Sequence, residues 1–89
     1  MERIELKRNS DGVVICSAVL PRKANWKMVA TLTIVMYQVG KLNNCKPENL
    51  YWELPREYIE SISKSEATYI ADKGMLMGSP VRWLEVGKA

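Results

Sequence analysis

The chain has 89 residues, of which 47% are hydrophobic and 26% charged, with a formal net charge of +3 and no histidine. A chain of this length builds one core and buries roughly 60–65% of the surface that its unfolded form exposes, and its apolar fraction is too high for a disordered segment. Without histidine the commonest neutral-pH acid–base group is missing, and the longest nearly uncharged stretch, Met28 to Gly40, falls well short of the roughly 20 residues that cross a bilayer.

The start, Met1-Glu2-Arg3-Ile4-Glu5, alternates and carries acids, unlike a secretory leader. Cys16 and Cys45 give neither a disulfide framework nor a zinc site. These features predict a single cytoplasmic domain over residues 1–89 with free thiols, no cofactor, no metal and no membrane association. Charge is unevenly spread: six bases (Arg3, Lys7, Arg8, Arg22, Lys23, Lys27) meet three acids up to Lys27, whereas seven bases meet seven acids from Met28 onward. The whole excess sits in the first third, where an acidic partner would sense it; the plain alternative is a solvated face.

Asn9-Ser10-Asp11-Gly12 separates two alternating runs and reads as a hairpin turn with Gly12 in a left-handed bulge position. The register that follows sets Arg8 opposite Val14, Leu6 opposite Cys16, Ile4 opposite Ala18 and Glu2 opposite Leu20. Ile4, Leu6, Val14, Cys16, Ala18 and Leu20 then face the core. Arg3, Glu5 and Lys7 share the other face with Ile15, Ser17 and Val19. That second face is basic and carries two β-branched apolar residues, so Arg3, Lys7, Ile15 and Val19 are the first candidate binding residues. A second copy of the chain would cover Ile15 and Val19 most simply.

Pro21 ends the second strand. In the cluster Arg22-Lys23-Ala24-Asn25-Trp26-Lys27, three bases surround an indole, a combination that neutralises phosphates and stacks on bases. The same residues suit a protein partner, and the bland account has Trp26 closing the core. Between Lys23 and Asn44 helical and strand patterns compete. A strand of about a dozen residues exceeds the usual length, so a helix from Asn25 to Leu42 is predicted, capped by Asn25 and stopped by Asn43-Asn44. Its apolar stripe reads Met28, Leu32, Val35, Met36 and Val39, opposite Lys27, Thr31, Gln38 and Lys41, with Ile34 misplaced among the polar residues.

Lys46-Pro47-Glu48-Asn49 reads as a turn and Leu50 to Leu54 as a short strand. Tyr51 and Trp52, on successive positions, cannot both point inward, which makes them the second candidate surface. Pro55 suits the first turn of a short helix ending near Ser63 or Lys64, whose Glu57 and Glu60 beside Arg56 form a solvated face rather than a catalytic pair. Ala67 to Ala71 is predicted as a strand that turns through Asp72-Lys73-Gly74 into Met75 to Met77; a helix from Glu66 to Lys73, capped by Ser65 and closed by Gly74, competes with it. Gly74 to Pro80 lacks the Gly-Lys-Ser/Thr ending of a phosphate loop, and Val81 to Val86 alternates as a last strand.

The expected fold is therefore α+β, of order β-β-α-(β)-α-β-β, with an antiparallel sheet built from N- and C-terminal hairpins and one long and one short helix. The expected function is a small intracellular protein-binding module or regulator, not an enzyme, acting through the hairpin face on a protein or a second copy of itself. Nucleic-acid binding through Arg22, Lys23, Trp26 and Lys27 is the alternative.

Overall fold

A computed structural model describes residues 2–85. It opens with a hairpin of strands β1 (Glu2–Arg8) and β2 (Val14–Leu20). Gly12 adopts φ 73°, and its N–H donates to the Arg8 carbonyl at 2.7 Å. The expected register holds for Glu2 with Leu20, Ile4 with Ala18 and Leu6 with Cys16, but Lys7, not Arg8, lies opposite Val14. Ile15 is thereby the extra residue of a β-bulge, and the expected alternation breaks there.

Helix α1 (Trp26–Leu42) begins where Asn25 accepts the Met28 N–H at 2.9 Å, and ends at Asn43, followed by Asn44 at φ 60°. Of the expected stripe it fully buries only Met36: Val29, Thr33, Met36 and Gly40 face the sheet, with Leu32 and Val39 half-buried. Two features explain the rotation. A Cβ on Gly40 would stand 3.1 Å from Leu50 Cδ1 and 3.6 Å from Leu6 Cδ2, so glycine permits a close approach of helix to sheet. The Thr33 hydroxyl donates to the Ala30 carbonyl at 2.7 Å, which lets it sit inside without an orphaned polar group.

After a 3₁₀ turn at Pro47–Asn49 come β3 (Leu50–Pro55), helices α2 (Arg56–Ile62) and α3 (Lys64–Lys73), and strands β4 (Met75–Leu76) and β5 (Ser79–Leu84). The predicted strand at Ala67 to Ala71 is helical. Ser63 accepts the Glu66 N–H at 3.3 Å, and Gly74, at φ 69°, closes the last turn with its N–H on the Ile70 carbonyl at 2.7 Å. Three helices thus replace the expected two. Val86, the end of the predicted last strand, lies outside the described residues.

The strand order is β2-β1-β3-β5-β4, antiparallel except that β3 and β5 run parallel. The fold class is α+β as expected, but the sheet is mixed. A parallel pair needs a crossover, which α2 and α3 supply. All three helices feed one core: Ile4, Leu6, Leu20, Leu50, Trp52 and Leu54 from the sheet meet Val29, Met36, Ile59, Ala67 and Ile70. Trp52 sits at its centre, fully buried, its indole N–H donating to the Leu76 carbonyl at 2.9 Å. The helices therefore lie on one side of the sheet, and the other face carries polar and charged side chains together with exposed Val14 and Val19. No helix among the described residues is long and apolar enough to cross a membrane.

Candidate interaction surfaces

On the face away from the helices, Glu53 joins three strands. Its carboxylate lies 2.7 Å from Lys7 Nζ on β1 and 3.2 Å from Arg82 Nη1 on β5, with Glu5 3.9 Å from the same ammonium. Glu53 is only 5% exposed. The Glu53 hydrogen bond holds the Lys7 ammonium above its ordinary pKa. Lys7, expected to meet a partner, is thus engaged within the sheet.

The bulge changes the rest of the hairpin surface. Ile15 is half-buried against the core and leaves the face on which it was expected, while Val14, opposite Lys7 and 44% exposed, takes its place. Arg3 is exposed, and Val19 is exposed as predicted. At the second predicted surface, Tyr51 is half-buried beside Lys7, whereas Trp52 is core and cannot bind a partner.

Arg22, Lys23 and Lys27 are exposed around the start of α1, but Trp26 packs partly buried against the core rather than standing free among them. The same loop is pinned from α2, where the Tyr58 hydroxyl donates to the Pro21 carbonyl. Burial, with a smaller effect from the Glu2 charge, pushes the Tyr58 phenol up. Glu57 and Glu60 are exposed, and Glu60 pairs with Arg56 at 3.7 Å. Cys16 and Cys45 are free, half-buried thiols. Among the described residues no three His, Cys, Asp or Glu side chains cluster to hold a metal.

The surface that sequence reasoning missed is the outer flank of α1. Met28, Val35 and Leu42 are 42%, 54% and 83% exposed, with Leu32 and Val39 half-buried between them. These five residues repeat at steps of four and three, the a/d spacing of a heptad. Four of them, Met28, Leu32, Val35 and Val39, belong to the apolar stripe expected to face the core, and Leu42 does not. The sequence holds a second stripe, Val29, Thr33, Met36 and Gly40, whose small and polar members disguise it. A helix apolar on two sides is a helix built for two contacts.

Beside that flank runs β2, an outer strand of the sheet. Val-Ile-Cys-Ser-Ala-Val-Leu contains no charge and no proline, and no Asp or Glu occurs between Gly12 and Pro47. Comparison with family models, with curated proteins and with solved structures returns no match.

Proposed function

We propose that the chain is a non-enzymatic protein-binding module whose contact surface is the side of the molecule formed by β2 and the outer flank of α1. The observation that carries this is the exposed heptad stripe of Met28, Leu32, Val35, Val39 and Leu42 alongside an uncharged edge strand. Scattered apolar residues on a surface need no explanation, but a contiguous stripe at contact spacing does. Each such side chain gains about 1.5–3 kcal/mol when taken fully out of water. An edge strand without lysine, proline or inward charge lacks most of the usual defences against pairing, the bulge at Ile15 being the one it has. Val19, exposed on β2, extends the surface onto the hairpin.

The test is affinity capture from the native cell with the wild-type chain and with Val35→Glu and Leu42→Glu, both at exposed positions. A protein retained by the wild type and lost by both variants is expected. Identical retention by all three chains would remove α1 from the contact.

A second reading, nucleic-acid binding, is favoured by one observation: Arg22, Lys23 and Lys27 are all exposed at one corner. It calls for binding of random oligonucleotides that weakens steeply with salt, and absence of binding at about 50 mM salt would sink it.

A further inference from the structure

We infer that the occupant of the β2/α1 surface is a second copy of this chain, joined by antiparallel pairing of the two β2 edges and packing of the two α1 stripes. This rests on the reading above and names its partner.

Geometry puts both elements on one side. Viewed from the helical layer with β3 pointing up, the right-handed connection that parallel strands take sets β5 and β4 to the right of β3, and β1 and β2 to its left. β2 points up in this view. α1 starts after Leu20 and brings Gly40 beside Leu6 and Leu50, at the other end of the hairpin, so it runs down. In a right-handed helix running down with Val29, Thr33, Met36 and Gly40 against the sheet, Leu32 and Val39 project left. Met28, Val35 and Leu42 project left and outward. The stripe thus lies on the β2 side of α1.

Charge suits a second copy, because an uncharged surface is complementary to itself. β2 and the stripe are uncharged, and the residues flanking the stripe toward solvent, Thr31 and Gln38, are neutral. In the same view Lys27 and Lys41 project outward and right, away from the edge, so these two lysines stay clear of the contact. A two-fold axis at Ser17 would set Cys16 opposite Ala18 of the other copy. These core-side residues then stay on the core side, and the sheet continues across the axis along the regular part of the strand. The bulge at Ile15 leaves Cys16 to Leu20 as the regular part of the edge.

The dimensions of the two elements agree. A seven-residue strand is about 23 Å long, and the stripe from Met28 to Leu42 spans about 21 Å, so the two elements match in length. Specific contacts of standard size bury about 800 Å² per partner, and the proposed contact, one strand and one helix tall, gives a reversible dimer.

The test is sedimentation equilibrium of the full chain over a wide concentration range, with hydrogen exchange at its two ends. A monomer–dimer equilibrium is expected, with the backbone amides of Cys16 to Leu20 exchanging more slowly at high concentration. Val35→Glu enters a two-fold interface twice and should weaken the dimer by about a hundredfold, a tenfold loss counted for each copy. Leu42→Glu, at a position 83% exposed, checks this without disturbing the fold. A chain that stays monomeric at all concentrations overturns the inference, as does a dimer that both variants leave intact or one whose β2 amides gain no protection. If the chain is monomeric but affinity capture still depends on Val35, only the second copy falls; if capture is also indifferent, the binding surface falls with it.

Discussion

Tyr58 links three parts of the chain with one hydroxyl: it stands on α2, donates to the Pro21 carbonyl that follows β2, and so fixes the loop from which α1 starts. Tyr58→Phe keeps the ring and removes the bond, and should cost about 1 kcal/mol in urea unfolding at neutral pH. The pH dependence carries a second signature. The folded phenol holds its proton above the ordinary value of 10.0, chiefly through burial, so its contribution is complete below that pH and is lost as pH rises through the folded value. Lys7, raised from 10.5 by its hydrogen bond to Glu53, acts in the same direction at slightly higher pH. Alkaline stability loss should therefore be shallower in Tyr58→Phe than in the wild type, but not abolished, when unfolding midpoints are compared from neutral pH to about pH 11. An unchanged alkaline slope would show that the phenol titrates alike in both states.

At the scale of elements, the part of the fold written locally was legible and the part set by packing was not. Asn25 as a cap, the Asn43-Asn44 stop, the Gly12 turn and three of the hairpin pairings each depend on a few neighbouring residues. The segment Ala67 to Ala71 failed because Ala-Thr-Tyr-Ile-Ala suits a strand, while Ser63 and Gly74, cap and stop on either side, made it helix α3. Nothing lies within 4 Å of a Cβ placed on Gly74, so Gly74→Ala isolates the cost of φ 69° and should destabilise by about 1 kcal/mol in urea unfolding. The bulge at Ile15 was invisible because both Val14 and Ile15 suit either face. Glu53, never considered a structural residue, ties β1, β3 and β5 through Lys7 and Arg82. Glu53→Gln, which keeps an acceptor oxygen, should cost about 1–2 kcal/mol in the same measurement, whereas Glu53→Met, which leaves Lys7 and Arg82 with no acceptor, should cost more. Equal losses in the two variants would show that the charge, removed in both, matters and the remaining acceptor oxygen of Gln does not.

For the whole molecule, the helices cover only one face of the sheet, and α1 has more apolar surface than that face can take. Its inner stripe uses Gly40 and Thr33 to come close to the sheet, which turns the larger Met28, Val35 and Leu42 away from it. The candidate site was half-legible for this reason: the sequence displays the apolar residues of α1, but close approach through glycine decides which of them are left outside. If those residues close on a second copy, folding and association are linked. Anything that binds only the folded chain raises its stability by mass action. The thermal midpoint of the wild type should then climb with protein concentration, whereas that of Val35→Glu should not. Extrapolated to high dilution the two should agree within about 0.5 kcal/mol, because the substituted side chain is 54% exposed in the monomer and touches little that holds the fold. Calorimetry at several concentrations checks both halves. Parallel concentration dependence in the two chains would place association elsewhere, and a large gap at dilution would mean that Val35 stabilises the monomer and that its exposure is no sign of a partner.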